Sequence, residues 1–411
     1  MKITIIVIGD ELLIGQVTDT NSGFIARHVA PEGWEVDSVR VVADDADAIR
    51  RAIEQAFSRT DVVLTTGGLG PTKDDITKAT LRDLFGGEMI EDPEVLENVK
   101  TVFRKRGLVL NELTAAQAIV PSSARIIQNL VGTAPIMWFE KKGKVLVAMP
   151  GVPFETEKMF VDEVFPQLQQ RFPSDMAIAH RSIIVEGITE SDLATLLADW
   201  ESVLPEYLHL AYLPKPGIIR LRLDGHHPDR SFIEAEIARK GDELIERLGK
   251  YFLYDGDKTP AEILLERLTA KGLTVATAES CTGGNIAHEL TSIPGSSVAV
   301  KGGVVAYCNE VKTNVLGVSR QTLEEFGAVS EPVVRQMAEG ARRVLGADCA
   351  MATSGIAGPG GATPGKPVGT VCIAVSIPSA TIASTFHFPG SRLRVIDRST
   401  QTALLRLLRA L

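Results

Sequence analysis

A serine that follows a predicted strand is the first candidate nucleophile of this chain. Strand 273–278 runs into Glu279-Ser280-Cys281-Thr282-Gly283-Gly284, and a helix is predicted from Thr282 onward. The free N–H groups at a helix N-terminus can stabilise a developing oxyanion or bind a phosphate. On this motif alone, an ordinary N-capping serine is the better interpretation. Cys281 is a rival nucleophile, but a small packed residue is a common role for a cysteine, and we rank it below Ser280.

A serine nucleophile needs a base, and the segment after predicted strand 302–307 supplies one candidate. The strand delivers Tyr307 and then Lys312. Desolvation lowers the pKa of a lysine, so that its amine can accept a proton. His288 falls within the following helix and His387 in a distant strand, so neither is well placed. We therefore predict Lys312 as the base and Tyr307 as a proton relay or orienting hydroxyl; the alternative for Lys312 is a solvated charge at a helix start.

A glycine-rich segment, ATSGIAGPGGATPGKPVGT, lies at the end of predicted strand 348–353. Six glycines between positions 355 and 369 are more than a turn needs, and they suit a loop folded around an anion. The letters from Gly360 to Lys366 match GxxxxGK of a Walker A loop. However, Pro367 stands where that motif needs Ser or Thr, and a strand follows where it needs a helix. The segment therefore predicts anion binding but not ATP binding.

Two carboxylate pairs bracket the first part of the chain. Asp10-Glu11 follows predicted strand 3–8, and Asp74-Asp75 follows the loop TGGLG after strand 61–66. Ligands of an open parallel sheet bind beyond the carboxyl ends of its strands, so both pairs are expected to face one crevice. The acids can hold a divalent cation over a pyrophosphate, and loop N–H groups can approach phosphate. The alternative is a tight turn and helix-capping acids. The glycines that form this candidate phosphate loop are Gly67, Gly68 and Gly70.

The elements that position these residues alternate between short apolar runs and amphipathic segments. In the first 170 residues, strands are predicted at 3–8, 36–42, 61–66, 136–139 and 145–148, and helices at 21–30, 46–58 and 154–170. This repetition predicts an α/β domain with a parallel sheet.

The rest of the chain divides into a connector and a second α/β region. The connector has predicted strands at 181–185, 207–213 and 218–223 and helices at 191–200 and 232–248, and it ends in the polar run 255–260. The last region has predicted strands at 273–278, 302–307, 348–353, 369–377 and 381–387, and helices at 261–271, from 282, at 332–345 and at 393–411. We predict three domains, at 1–172, 173–256 and 257–411.

Composition and charge restrict the function classes. The 411 residues are 45% hydrophobic and 23% charged, as in ordinary globular proteins. Residues 258–411 carry 15 Lys and Arg against 11 Asp and Glu, whereas residues 1–257 carry 28 against 41. The acidic total argues against bulk nucleic-acid binding. The four cysteines form no CxxC pair, and no stretch has the pattern of a signal peptide or membrane span. We expect a cytoplasmic protein with reduced thiols.

Several motifs of the first region resemble a known family. GDELLIG, DTNS, VADDADAI, GGLGPTKDDIT and MPGVP resemble the molybdopterin-binding fold and, more closely, the N-terminal domain of the competence/damage-inducible CinA family. The resemblance implies a nucleotide-diphosphate pocket and, in several members, metal-dependent ADP-ribose pyrophosphatase activity. The middle segment resembles the KH-like connector of that family, but it lacks a GxxG loop, so no RNA binding is inferred. The candidate ligands of a divalent metal such as Mg²⁺ are Asp10, Glu11, Asp45, Asp74 and Asp75.

The last region is similar to the C-terminal CinA domain, the nicotinamide-nucleotide amidase family. TAESCTGG, the segment from Tyr307 to Lys312, SGIAGPGG and FPGSR carry this resemblance. It implies hydrolysis of nicotinamide mononucleotide (NMN) to nicotinate mononucleotide and ammonia, without a cofactor. It also implies Ser280 as nucleophile, activated by Tyr307 and Lys312. The substrate-binding positions are Thr282, Gly283, Gly284, Asn309, Gly355, Gly358 and Gly360.

Two further positions are carried over with departures from the family pattern. Ser354 stands where the family usually has Thr, and it keeps the hydroxyl without the methyl group. Arg392 matches an arginine that would pair with the phosphate or carboxylate of the substrate. The family often has Asp or Asn before this arginine and a second arginine four positions on, where this chain has Ser391 and Ile396. Arg394 or Arg398 are candidate replacements.

Three hypotheses follow for the function. The first is an amidohydrolase acting on NMN, with a second, ADP-ribose-like nucleotide site in the N-terminal domain. The second makes metal-dependent ADP-ribose pyrophosphatase the main activity. The third is a regulatory protein of competence or DNA damage without catalysis. The resemblance also implies a homodimer, and no membrane or nucleic-acid partner is expected.

Overall fold

The computed structural model describes residues 1–72, 75–173 and 176–411. They form two compact units, the first of residues 1–179 and 225–236, the second of residues 180–224 and 237–411. Most of the predicted connector therefore groups with the C-terminal segment.

The first unit contains eight labelled strands and eight labelled helices among the described residues. Its strands are β1 (Lys2–Ile8), β2 (Glu35–Val42), β3 (Val62–Thr66), β4 (Met89–Glu91), β5 (Ile119–Pro121), β6 (Arg125–Ile127), β7 (Ile136–Lys141) and β8 (Lys144–Met149). Its helices are α1 (Asp10–Leu13), α2 (Asn21–Val29), α3 (Ala46–Arg59), α4 (Thr77–Phe85), α5 (Pro93–Lys105), α6 (Glu112–Ala115), α7 (Pro153–Met159) and α8 (Phe165–Arg171).

The main sheet of the first unit has the strand order β2-β1-β3-β8-β7-β6. The first four strands are parallel neighbours, whereas β7 pairs antiparallel with both β8 and β6 at one edge. In β1 only Lys2 is exposed, and the following six residues are all buried. This is the pattern of a strand that is covered on both faces of its sheet. The predicted parallel α/β sheet is confirmed. The predicted helix 154–170 is one helical run that a π-helical turn at Phe160–Val164 interrupts.

The connector has a four-stranded sheet with helices. Its strands are β9 (Ala177–Glu186), β10 (Leu208–Lys215), β11 (Ile218–His227) and β12 (Phe252–Asp255), and its helices are α9 (Glu190–Glu201) and α10 (Arg230–Leu248). The strand order is β10-β11-β9-β12. Within the second unit, Ile184 and Ile218 are buried in the same apolar core as Leu404 and Leu405 of the last helix. This shared core joins that part of the connector to the C-terminal segment.

The C-terminal segment is a second α/β layer structure. Its strands are β13 (Val275–Glu279), β14 (Val300–Val305), β15 (Cys349–Gly355), β16 (Thr370–Ile377) and β17 (Ala380–His387). Its helices are α11 (Pro260–Ala270), α12 (Asn285–Thr291), α13 (Asn309–Asn314), α14 (Arg320–Phe326), α15 (Glu331–Leu345) and α16 (Arg392–Ala410). The strand order is β14-β13-β15-β16-β17. The first three strands are parallel, and β16 pairs antiparallel with both β15 and β17.

Local sequence explains where this segment begins. Thr259 accepts a hydrogen bond from the N–H of Glu262, and the Glu262 carboxylate accepts one from the N–H of Thr259, so the polar run at 255–260 ends in a capping box. Pro260 occupies the first turn, where its missing N–H costs nothing. Over the part of the chain that the structure describes, no helix has the length and apolar character needed to cross a membrane.

Candidate active site

Three parallel strands bring the predicted catalytic residues of the second unit to one edge of its sheet. β13 ends at Glu279 and leads into Ser280, β14 leads into Tyr307, and β15 contains Ser354. Because β14, β13 and β15 are adjacent and parallel, their carboxyl ends lie side by side. Residues that are far apart in sequence therefore meet where ligands of parallel sheets commonly bind.

Lys312 contacts Ser280 directly. Its Nζ lies 3.3 Å from Ser280 Oγ, and it also donates to the backbone carbonyl oxygens of Ala306 at 2.7 Å and Tyr307 at 3.3 Å. The Lys312 side chain is only 1% exposed, although it belongs to the short helix α13. Burial lowers the pKa of this ammonium group from its ordinary value, because desolvation penalises the charged form. The alternative of a solvated charge is therefore wrong for Lys312.

The rival nucleophile Cys281 has an unsuitable environment. Its side chain is buried, and this burial raises the pKa of the thiol to about 12. Since the thiolate is the nucleophilic form, little of it is present at neutral pH. The structure therefore favours the Ser280 hydroxyl, which is partly exposed, over its neighbour.

Tyr307 and Arg392 contact each other at the exposed side of the site. Arg392 Nη2 donates to Tyr307 Oη at 3.0 Å, and Arg392 Nη1 donates to the carbonyl oxygen of Gly358 at 2.9 Å. In the described residues, Tyr307 Oη has no hydrogen bond with Ser280. This arrangement suits the orienting role predicted for Tyr307 better than that of a direct proton relay. It also places the arginine between the tyrosine and the glycine-rich segment.

Ser354 is buried, and its hydroxyl has a structural partner. Its Oγ donates to the carbonyl oxygen of Ala328 at 2.7 Å, and the residue is only 1% exposed. The preceding residue, Thr353, places its hydroxyl 2.7 Å from that of Thr282. Ser354 is therefore close in sequence to the residues of the predicted site. Its hydroxyl, however, connects β15 to the segment before α15.

Glu279 is a site residue that the sequence analysis missed. Its carboxylate accepts hydrogen bonds from Thr282 Oγ1 at 2.7 Å and from the backbone N–H groups of Gly284, Ile286 and Ala287 at 2.9–3.0 Å. The residue is 1% exposed. An acid directly before the serine, at the end of a strand and before a helix, is the signal that could have revealed it. Glu279 satisfies the N-terminal N–H groups of α12 that we expected to be free for an oxyanion.

The remaining N–H groups of the turn identify a narrower oxyanion site. Gly283 N donates to the carbonyl oxygen of Ser280 at 3.1 Å, and Gly284 N donates to Glu279. Among the described residues, none accepts a hydrogen bond from the backbone N–H of Cys281 or Thr282. These two N–H groups directly follow Ser280 in the chain and are the remaining candidate donors to an oxyanion.

The predicted substrate-binding residues divide into structural and accessible ones. A Cβ on Gly355 would lie 2.9 Å from the carbonyl oxygen of Thr370, and one on Gly358 would lie 2.6 Å from Val368. Both glycines are therefore needed for close packing of the loop. In contrast, a Cβ on Gly360 would meet no atom within 4 Å. Two further accessible positions near the serine are Gly283 and Asn309, the first residue of α13.

The first unit contains a cavity of about 680 Å³ at the carboxyl ends of β1, β3 and β8. The predicted crevice is therefore present at the expected edge of the sheet. The cavity is lined by most of the residues predicted for this site, namely Asp10, Glu11, Gly67, Gly68, Gly70 and Asp75. Two of these glycines, Gly67 and Gly68, have positive φ angles, and a Cβ on either would meet another atom at 2.1 Å.

The acidic residues of this cavity include one that was not predicted. Asp10 and Asp44 exchange hydrogen bonds between the N–H of each and the carboxylate of the other, at 3.1 and 3.3 Å. Burial raises the pKa of Asp44, and the nearby charges of Asp10, Glu11 and Asp75 act in the same direction. In contrast, the carboxylate of Asp45 caps α3 by accepting from Ala48 N at 2.8 Å. The cavity residue of the DDAD segment is therefore Asp44 rather than Asp45.

The described carboxylates of this cavity mostly hold the loop and the helix starts. Asp75 accepts from Gly70 N at 2.7 Å, Thr72 N at 2.8 Å and Thr72 Oγ1, so it holds the glycine-rich loop. Asp74 lies outside the described residues. Within residues 1–72, 75–173 and 176–411, no group of three or more His, Cys, Asp or Glu residues is arranged to hold a metal ion. Because the predicted ligand Asp74 is outside this search, the metal site stays a prediction.

Two buried amide side chains in this cavity were also missed. Asn21 Nδ2 donates to Thr66 Oγ1 and to the carbonyl oxygen of Gly151, both at 2.9 Å, whereas its Oδ1 has no partner. Gln117 accepts hydrogen bonds from Lys78 Nζ through its backbone carbonyl oxygen and its side-chain Oε1. Its Nε2 has no partner. Both residues are at least 95% buried and line the cavity. One acceptor and one donor are therefore available to a ligand.

Comparisons with known families account for nearly the whole chain. Residues 4–170 match the family described as probable molybdopterin binding domain, residues 180–253 match the damage-inducible protein CinA KH domain, and residues 257–411 match the CinA C-terminal domain.

Two relatives match this chain over nearly its full length, and a solved structure matches part of it. The chain is 43% identical to a CinA-like protein of Cytophaga hutchinsonii, over 98% of this chain and 96% of the relative. It is 38% identical to a putative competence-damage inducible protein of Caldicellulosiruptor saccharolyticus, over 98% of both. It is also similar to the crystal structure of a competence/damage inducible protein from Agrobacterium tumefaciens, with 41% identity, a TM-score of 0.36, and coverage of 36% of this chain and 92% of that one.

Proposed function

Because the chain belongs to the CinA family, we propose that it is an amidohydrolase that converts NMN to nicotinate mononucleotide and ammonia at Ser280. The observation that carries this proposal is the contact between the buried Lys312 Nζ and Ser280 Oγ at 3.3 Å. A buried amine beside a partly exposed hydroxyl is the pair that a serine amidase without histidine requires.

The proposed reaction begins with proton transfer from the Ser280 hydroxyl to the neutral amine of Lys312. Ser280 Oγ then attacks the carboxamide carbon, and the negative charge that develops on the carboxamide oxygen faces the N–H groups of Cys281 and Thr282. The Lys312 ammonium returns the proton to the departing nitrogen, which leaves as ammonia. Water hydrolyses the resulting ester by the same proton transfers, and this restores Ser280 and releases the carboxylate product.

Arg392 is the proposed anchor of the substrate phosphate. Its guanidinium contacts Tyr307 Oη and the Gly358 carbonyl oxygen, and its side chain is exposed at the outer side of the site. A guanidinium can bind a phosphate through two parallel hydrogen bonds. Tyr307 orients this group, so the tyrosine contributes to substrate position rather than to proton transfer.

The direct test is ammonia release from NMN by the wild type and by Ser280→Ala, with Cys281→Ala as the matched control. We expect Ser280→Ala to lose activity by at least about 10³-fold, because the Ser280 hydroxyl is the group that contacts the buried amine of Lys312. Cys281→Ala is expected to retain most activity, since its thiol is not ionised near neutral pH. Loss of activity in Cys281→Ala alone would transfer the role to the cysteine. An inactive wild type would leave the regulatory, non-catalytic alternative in place.

A second nucleotide site in the first unit is favoured by a different observation. The cavity of about 680 Å³ has a glycine-rich loop, one unpartnered buried acceptor on Asn21 and one unpartnered buried donor on Gln117. We propose that it binds ADP-ribose or a related nucleotide diphosphate, with pyrophosphate cleavage as the alternative activity of the protein. The test is ADP-ribose binding and hydrolysis with and without EDTA. Deamidation of NMN is expected to continue in EDTA, which distinguishes the two activities.

A further inference from the structure

A crevice of about 460 Å³ lies in the second unit, between the connector and the last helix. One wall is the turn between β10 and β11, with Lys215 and Gly217. The opposite wall is α16, with Arg394, Arg398 and Thr402, and Phe388 of the preceding loop lies at one end. None of Ser280, Lys312, Tyr307 or Arg392 lines it.

The α16 wall presents its polar groups as one stripe. Arg394, Arg398 and Thr402 are spaced by four residues, so their side chains lie above one another on the same helix face. Two like charges at this spacing repel each other and cost helix stability. Lys215 adds a third positive charge from across the crevice. The arrangement concentrates cationic groups around one crevice, whereas an ordinary surface intersperses charges of both signs.

These cations have no protein counter-ion. No carboxylate lines the crevice, and over the described part of the chain none pairs with Lys215, Arg394 or Arg398. Elsewhere in the same unit, arginines of α16 are paired or packed. Arg409 Nε donates to Glu186 at 2.7 Å, and Arg406 contacts Ser384 and the ring of Phe386. No carboxylate among the described residues therefore neutralises the charges of the crevice.

The two walls are fixed relative to one another. Ile218, which follows the turn, is buried in the core that contains Leu404 and Leu405 of α16. Gly217 has a positive φ angle, and a Cβ there would lie 2.9 Å from Leu405 Cδ1, so the turn packs directly on the helix. The backbone of both walls is therefore already in place before a ligand binds, which lowers the entropic cost of binding.

We propose that this crevice binds a small phosphorylated molecule at a site separate from the Ser280 site. A phosphate ester or pyrophosphate carries two or more negative charges, which match three unpaired cations, and guanidinium groups bind phosphate oxygens in pairs. Thr402 supplies a hydroxyl donor at the end of the stripe. The three cations surround one crevice of about 460 Å³ rather than following an extended basic track, so a small anion fits the site better than a nucleic acid.

Calorimetric titration of the full chain with inorganic pyrophosphate tests the proposal. Lys215→Gln and Arg398→Gln remove one charge from each wall, and each is expected to weaken one binding component by about tenfold or more. Lys301→Gln removes an exposed lysine of β14, outside the crevice, and is the matched control for net charge. Arg392→Gln is the control for the Ser280 site, and it is expected to leave this component intact.

Several results would overturn the proposal. Binding that is unchanged in both Lys215→Gln and Arg398→Gln would show that the crevice holds no pyrophosphate. Loss of the same component in Arg392→Gln would assign it to the Ser280 site. Tighter binding of a single-stranded oligonucleotide than of pyrophosphate, lost in the same two variants, would replace the small-anion site with a nucleic-acid surface. Since Lys215 is exposed at the end of β10, its variant remains informative if Arg398→Gln lowers the thermal midpoint.

Discussion

Glu279 and Ser280 are consecutive residues at the end of β13, but their side chains have opposite environments. The Glu279 carboxylate is buried and accepts three backbone N–H groups at the start of α12 together with the Thr282 hydroxyl. The Ser280 hydroxyl is partly exposed and lies beside Lys312. The acid therefore holds the turn in which the serine is presented, and it is a positioning residue.

Replacing Glu279 with glutamine tests this positioning role. The amide presents N–H groups where the carboxylate accepted hydrogen bonds, so some buried N–H groups of α12 lose their partner. We expect Glu279→Gln to lower the free energy of unfolding by about 2–3 kcal/mol and to reduce the kcat for NMN. The measurements are urea unfolding and ammonia release, with the exposed Glu324→Gln as control. Unchanged stability would show that the carboxylate does not hold this turn.

The role of Lys312 as base predicts a pH dependence. Its pKa lies below the ordinary lysine value, so the neutral amine forms at a lower pH than in a solvated lysine. We expect kcat/KM for NMN to rise with pH through that lowered pKa. Lys312→Arg keeps a positive charge and hydrogen-bond donors but cannot accept a proton, and it is expected to lose about 10²- to 10⁴-fold. An active Lys312→Arg enzyme with the same profile would assign the lysine a structural role.

The contact between Tyr307 and Arg392 predicts an effect on substrate binding. Tyr307→Phe keeps the ring but removes the hydroxyl that accepts from Arg392. We expect KM for NMN to rise by roughly three- to tenfold with a smaller change in kcat, because the guanidinium loses one orienting contact. Steady-state kinetics measure both constants. A large fall in kcat with unchanged KM would instead make Tyr307 the proton relay.

Asp75 is expected to matter for the first unit alone. Asp75→Ala removes the acceptor for the N–H groups of Gly70 and Thr72, so the glycine-rich loop loses its fixed conformation. We predict at least about tenfold weaker ADP-ribose binding and loss of any ADP-ribose cleavage, with deamidation of NMN within about twofold. Asp83→Ala, on an exposed face of α4, is the control. Loss of both activities would indicate coupling between the units or misfolding.

Lys78 predicts a pH dependence of stability. Burial lowers its pKa to about 8, below the unfolded value of 10.5. Between these values the unfolded chain binds more protons, so the free energy of unfolding should rise with pH from about 8 to 10.5, by about 3 kcal/mol at most. The free energy of unfolding is measured by urea unfolding in a Trp200→Phe background, where the fluorescence of Trp34 and Trp138 reports on the first unit. The rise should disappear in Lys78→Met and persist in the exposed Lys100→Met; equal slopes in all three would contradict the shift.

The parts of the fold that were predictable have strong local signals. Buried apolar runs such as β1 and the spacing of the helix at Ala46–Arg59 identify elements without knowledge of their neighbours. The order of strands in a sheet depends on distant contacts, so the antiparallel pairing of β17 with β16 was not predicted. The strand β6 was not predicted at all. The short strands β4 and β5 have only three residues each, too few for a periodic pattern.

The candidate site was predictable where residue type alone restricts the chemistry. Lys312 followed from the lack of a suitable histidine, and its burial agrees with that inference. Asp45 was assigned to the metal although an aspartate directly before a predicted helix start is a typical N-cap, which is the role it has. Glu279 was missed although its position between a strand and the serine was a usable signal. Asn21 could not be assigned, because its importance depends on burial, which no local pattern of polar residues reveals.

The two carbonyl oxygens beside Lys312 have a consequence for the direction of proton transfer. A neutral amine has two hydrogens and one lone pair in a tetrahedral arrangement. The carbonyl oxygens of Ala306 and Tyr307 can accept the two hydrogens, since each lies within 3.3 Å of Nζ. The lone pair is then left on the side of Ser280, where it can receive the hydroxyl hydrogen. Two main-chain groups without chemistry of their own would thus aim the base at its serine.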